Sequence, residues 1–73
     1  MSKKTGKLLF DALERRFEAQ RDDAVATLQV YFDNAAGIGE HPQIVDEMAK
    51  QVEKLTNALD CLETLEENIK HED

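Results

Sequence analysis

Few side chains in this sequence could act as nucleophiles or metal ligands, and their spacing does not bring them together. The one serine is Ser2, and the two histidines, His41 and His71, stand 30 residues apart. On one helix that spacing is about 45 Å at 1.5 Å per residue, so the two imidazoles cannot share a ligand within one chain. The one cysteine, Cys61, excludes an internal disulfide, and we expect it to be a small, unreactive helix residue.

The carboxylates are numerous, but no pattern among them is typical of a catalytic or metal site. Di-iron sites in helical bundles use Glu-x-x-His pairs, and none occurs here. The adjacent acidic pairs, such as Asp22–Asp23 and Glu66–Glu67, point in different directions on a helix. A structural zinc site needs about four Cys or His ligands, and the chain has three such residues. We therefore predict no catalytic, metal or cofactor-binding residues and no enzymatic activity.

The stretch NAAGIGEHPQ, residues 34–43, raises the question of a phosphate-binding loop. A dinucleotide fingerprint, G-x-G-x-x-G, follows a strand and would need a third glycine at position 42. Here position 42 is a proline, and a helix is predicted before the loop. Gly37 is suited to end a helix, with Ile38 packing back onto it. Pro42 is suited to the first helical position. We therefore predict a hinge between two helices at Gly37, Ile38, Gly39 and Pro42.

The second half of the chain has the apolar periodicity of a coiled-coil helix. Its apolar residues alternate at spacings of three and four, with a positions at Val45, Val52 and Leu59 and d positions at Met48, Leu55, Leu62 and Ile69. Glu66 occupies the next a position and interrupts the pattern. Ile44, Ala58 and Leu65 widen the stripe on its g side, as in a bundle helix.

The first half is also predicted to be helical, with a less regular pattern. Phe10, Phe17, Ala24 and Tyr31 stand seven residues apart, and residues 20–23 form a polar waist. Residues 24–36 are apolar on almost every side, so more than one neighbour must cover them.

These patterns predict an all-α fold, an antiparallel helical hairpin that dimerises into a four-helix bundle. The expected boundaries are a flexible basic tail at 1–7 and a single hairpin domain at 8–70, followed by a frayed end at 71–73. Within the domain we expect a helix at about 8–36, a turn at 37–41 and a helix at about 42–70. Pairing of the apolar rows of the two helices sets Phe32 near Met48 and Leu28 near Val52. The same pairing brings the basic tail beside the acidic end of the second helix.

A lone hairpin would leave apolar side chains exposed, and exposed patches of this kind mark interfaces. Chains below about 70–80 residues rarely obtain enough stability from a single core. With disulfide and metal sites excluded, we expect oligomerisation to stabilise this chain. A twofold dimer is the commonest oligomer. We predict a dimer interface formed by Val25, Leu28, Val30, Tyr31, Phe32, Val52, Leu55, Leu59 and Leu62.

The charge distribution bears on possible partners. The net charge is −7, and residues 22–73 carry thirteen acidic and three basic groups. This composition argues against nucleic-acid binding, because phosphate contacts need Lys and Arg. No apolar run approaches the ~20 residues of a membrane span. We expect a cytoplasmic protein that binds itself and an unidentified protein partner, with no nucleic acid or membrane bound.

The segment from Ala12 to Leu55 resembles small uncharacterised proteins of tailed marine bacteriophages. The resemblance lies in a helix ending V-Y-F-x-N, then G-I-G-E-H-P, then an acidic helix beginning I-V-D-E-M. Here these are Val30 to Asn34, Gly37 to Pro42, and Ile44 to Met48. The resemblance implies a phage origin, and hence the host cytoplasm, but brings no activity, cofactor or site residues.

Two functions follow as hypotheses. The first is a small structural or adaptor protein, an obligate homodimer that docks another protein. The alternative is an acidic inhibitor that mimics nucleic acid and occupies a DNA-binding protein of the host. A mimic should present one continuous row of carboxylates, whereas Lys50, Lys54 and Lys70 interrupt the acidic face.

Overall fold

Two long helices packed side by side make up the part of the chain that the computed structural model describes, residues 3–34 and 43–69. Helix α1 spans Lys3–Asp33 and helix α2 spans Ile44–Asn68. The described ranges contain no strand. The contacts given below run antiparallel, so the prediction of an all-α helical hairpin is confirmed.

The start of α1 differs from the prediction. Residues 3–7 were expected to form a flexible tail, but α1 begins at Lys3. Lysine is a good helix former, and Lys7 Nζ lies 3.4 Å from Asp11 Oδ2, one turn later. Gly6 weakens this turn by about 1 kcal/mol relative to alanine without breaking the helix.

Local contacts define the inner ends of the two helices. At the end of α1, the backbone N–H and the side-chain amide of Asn34 both donate to the Val30 carbonyl, at 3.1 and 2.9 Å. Helix α2 opens with Asp46 and Glu47 in its first turn, where carboxylates favour the helix dipole. The predicted hinge residues, Gly37, Ile38, Gly39 and Pro42, and the frayed end at 71–73 lie outside the described residues.

Three side-chain contacts set the register of the hairpin. Tyr31 Oη donates to Glu47 Oε2 at 3.0 Å. Further from these inner ends, Gln20 Nε2 donates to the Lys54 carbonyl at 2.9 Å, and the Lys54 ammonium pairs with Asp23. Tyr31 therefore lies level with Glu47. The prediction paired Phe32 with Met48, and each of these residues follows the observed partner by one position in the sequence.

The core between the two helices is thin. Ala24 and Ala58 have no exposed surface and Leu28 is 9% exposed, whereas no large side chain in the described residues is fully buried. The small alanines allow a close approach of the helix axes. The other g and d positions of α2 as far as Leu65 are half-buried: Ile44, Met48, Gln51, Leu55, Leu62 and Leu65.

This arrangement corrects the predicted heptad. Val45, Val52 and Leu59 were assigned to a positions inside the seam, but they are 72, 50 and 48% exposed. The hairpin seam uses the g and d positions instead. Ala58 at g has no exposed surface, so the g row faces α1, and the a row lies about 100° further around α2.

Candidate protein-interaction surface

The polar contacts between the helices lie on one flank of the hairpin. Gln20, Asp23 and Lys54 come together there, around the polar waist predicted at residues 20–23. The Asp23 and Lys54 side chains remain well exposed, and the pair is open to solvent. We call this side the polar flank.

The opposite side of the hairpin is apolar. Residues two positions apart on a helix point about 200° apart. Val25 therefore lies opposite Asp23 on α1, and Val52 lies opposite Lys54 on α2. Since Asp23 and Lys54 meet on the polar flank, Val25 and Val52 share the other one, where they are 38 and 50% exposed.

A seven-residue spacing extends this second side along both helices. Phe32 follows Val25 by seven residues and is 67% exposed; Val45 and Leu59 lie seven residues on either side of Val52. Residues seven apart lie nearly above one another on a helix. We call the resulting surface the apolar flank: Val25 and Phe32 of α1, with Val45, Val52 and Leu59 of α2.

Charged residues are absent from the part of α2 that borders the apolar flank. Within 44–59, every a, d, e and g position is uncharged, and the e positions are Ala49 and Thr56. The charged residues of this segment occupy b, c and f positions: Asp46, Glu47, Lys50, Glu53 and Lys54. Toward the chain ends the apolar rows stop, because Glu18 stands seven residues before Val25 and Glu66 seven after Leu59.

The nine predicted interface residues are divided among several environments. Val25, Phe32, Val52 and Leu59 lie on the apolar flank. Leu28, one helical turn after Ala24, is buried inside the hairpin and is not available to a partner.

The remaining predicted residues lie outside the apolar flank. Tyr31, Leu55 and Leu62 are half-buried against the other helix and keep part of their surface open to a partner. Val30 is 60% exposed but stands two positions before Phe32, which places it on the polar flank. The predicted interface omitted Val45, although its position seven residues before Val52 marks it as a member of the same row.

A second apolar area lies near the start of α1. Leu9, Ala12, Leu13 and Arg16 line an open groove of about 530 Å³. Leu9 and Leu13 are 49 and 44% exposed and stand one turn apart. The sequence pattern around Phe10 did not single out this area.

The Tyr31–Glu47 contact perturbs the titration of Tyr31. The hydrogen bond to Glu47 raises the pKa of Tyr31 above its ordinary value of 10.0, because it stabilises the protonated phenol. Partial removal from water and the negative charge of Glu47 raise the pKa further. The contact ties the end of α1 to the start of α2.

The groups considered for chemistry remain apart. Cys61 is half-buried, with its Sγ 3.8 Å from Asn57 Oδ1. Within residues 3–34 and 43–69, no three His, Cys, Asp or Glu side chains are grouped so that they could hold a metal ion. His41 and His71 lie outside these ranges. Neither of the two described helices combines the length and apolar character needed to cross a membrane.

Comparisons of this chain with protein-family models, with curated proteins and with solved structures give no match.

Proposed function

We propose that this chain is a small non-enzymatic protein-interaction protein whose hairpin works as a homodimer. The apolar flank is the observation that supports this proposal. It joins five exposed apolar side chains into rows with helical spacing, and single scattered apolar residues would not have this arrangement. Rows spaced by seven residues are suited to packing against further helices.

The thin core supports the same proposal. A lone hairpin with Ala24, Leu28 and Ala58 as its buried apolar residues has little hydrophobic stabilisation to set against the entropy of ordering the chain. Each large apolar side chain that moves from water into an interface contributes about 1.5–3 kcal/mol. Association would therefore supply stability that the described hairpin lacks.

An adaptor must also bind a second protein through surface outside the apolar flank. A dimer built on the apolar flank leaves the groove around Leu9 and Leu13 free to contact another partner. The resemblance to phage proteins is the ground for proposing a phage-encoded adaptor that acts in the host cytoplasm, a compartment that suits the free thiol of Cys61.

The charge pattern favours the adaptor over the nucleic-acid mimic. Lys50 and Lys54 lie among the acidic groups of α2, and Lys54 is paired with Asp23. A mimic would need an ordered row of carboxylates, and this half of α2 has mixed charge.

Thermal unfolding over a range of protein concentrations tests the dimer. When unfolding is coupled to dissociation, the midpoint temperature rises with protein concentration by mass action. We expect the circular dichroism midpoint to rise across a hundredfold concentration series. A cooperative transition with the same midpoint at every concentration would contradict the proposal.

A further inference from the structure

We propose that the second copy packs α2 against α2 in antiparallel orientation, with the twofold axis crossing between Val52 and Leu55. The inference rests on the proposed homodimer and specifies its geometry. It places the ends of the two hairpins at which α1 finishes and α2 begins at opposite ends of a four-helix bundle.

The apolar positions of α2 are complementary to themselves in this register. In antiparallel helix pairs, an a residue of one helix lies in the same layer as a d residue of the other. An axis between Val52 and Leu55 sets Val52 against Leu55 of the second copy. The same operation sets Met48 against Leu59 and Val45 against Leu62. Each pair occurs twice, so six consecutive layers are apolar throughout.

Glu66 selects this arrangement over its neighbours. In the proposed register its level lies before Ile44, the first residue of the partner's α2, so it meets no apolar layer of that helix. A shift of one heptad would place Glu66 against Met48. A parallel pairing would place Glu66 against Glu66 of the second copy, and like charges within a seam are destabilising.

The electrostatics permit a second copy on this surface. Two chains of net charge −7 repel one another, and close approach requires facing surfaces without like charges. The edge of the α2 seam offers Ala49 and Thr56 at its outer positions, both exposed and uncharged. Lys50 and Glu53 lie away from it, at f and b positions.

The position of α1 agrees with the same axis. The Lys54–Asp23 pair sets Asp23 level with Lys54, which lies at the proposed axis. Val25 is half a turn further along α1, on the apolar flank, and is 38% exposed. The axis therefore brings the Val25 side chains of the two copies toward each other.

Spin-label distances test this geometry without altering the apolar flank. Two single-label proteins, Glu67→Cys and Asn57→Cys, are made in a Cys61→Ser background. Both label sites are exposed, and neither lies at an a or d position. In the proposed dimer, the two Glu67 sites are separated by about 40 Å along the bundle and the two Asn57 sites by about 10 Å, at 1.5 Å per residue.

Pulsed electron paramagnetic resonance measures these separations, with sedimentation of each labelled protein as the control for association. Both labels lie on the outer side of α2, so a lateral separation adds to each axial one, and we expect the distance between the Glu67 labels to exceed that between the Asn57 labels by roughly 10–20 Å. Similar short distances at both sites in a dimeric protein would overturn the antiparallel geometry and leave the proposed function standing. Monomeric sedimentation, with no dipolar signal, would overturn both.

Discussion

At the scale of single residues, Tyr31 and Glu47 offer the most direct check on the hairpin. Their hydrogen bond joins the end of α1 to the start of α2 and raises the pKa of Tyr31. The seven-residue spacing of Tyr31 with Phe17 and Ala24 could predict that this side chain faces α2. Its bond to Glu47 could not be predicted, because it depends on how far α2 is rotated about its own axis.

Replacing Glu47 by glutamine should lower the pKa of Tyr31 toward its ordinary value, because the negative charge beside the phenol is removed. The chain has one tyrosine and no tryptophan, so the ultraviolet absorbance of the phenolate reports Tyr31 alone during a pH titration. Glu53→Gln, which removes an exposed carboxylate elsewhere on α2, serves as the control. Identical titration curves for wild type and Glu47→Gln would contradict the Tyr31–Glu47 contact.

The same contact gives the pH dependence of stability a defined sign. Because the pKa of Tyr31 is raised in the folded state, its contribution to stability is fully present below the ordinary pKa of 10.0. It is lost as the pH rises through the folded-state value. The difference in stability between wild type and Glu47→Gln should therefore shrink at alkaline pH.

At the scale of the helices, the sequence could predict that α2 exists and roughly where it lies, but not which of its faces contacts α1. The a and d positions are apolar as far as Leu62, and the g positions are apolar except for Gln51, so a heptad pattern does not choose between the g–d and a–d seams. The choice depends on close approach at small side chains, and Ala58 and Ala24 are the two residues with no exposed surface. A periodic pattern shows where apolar side chains lie on a helix. It does not show how closely their volumes allow a second helix to approach.

Enlarging Ala58 to leucine should therefore destabilise the protein. The added carbons have no space at a position with no exposed surface, and overpacking of this kind costs about 1–3 kcal/mol in the free energy of unfolding. Chemical denaturation at fixed protein concentration gives the measurement.

Ala26→Leu is the matched control, since Ala26 is an exposed alanine on α1. A change within about 0.5 kcal/mol is expected there. Equal effects of the two substitutions would show that Ala58 does not lie in the seam.

At the scale of the whole molecule, the hairpin is a rod of 55 × 16 × 14 Å with most of its large apolar side chains in contact with water. The composition and length could predict that such a chain needs a partner. They could not locate the contact, because Val25, Val45 and Val52 become a single surface once the Asp23–Lys54 pair sets the relative rotation of the helices.

Sedimentation equilibrium on wild type, Val52→Glu and Lys50→Glu tests the central claim, that a second copy covers the apolar flank. One chain has a mass of 8.3 kDa, so the wild-type dimer should sediment at twice that value. Val52→Glu introduces a charge into the seam on each chain and should shift the equilibrium to monomer. Lys50→Glu changes charge on the outer face of the same helix and should remain a dimer. A monomeric wild type, or a Val52→Glu variant as dimeric as Lys50→Glu, would contradict the account.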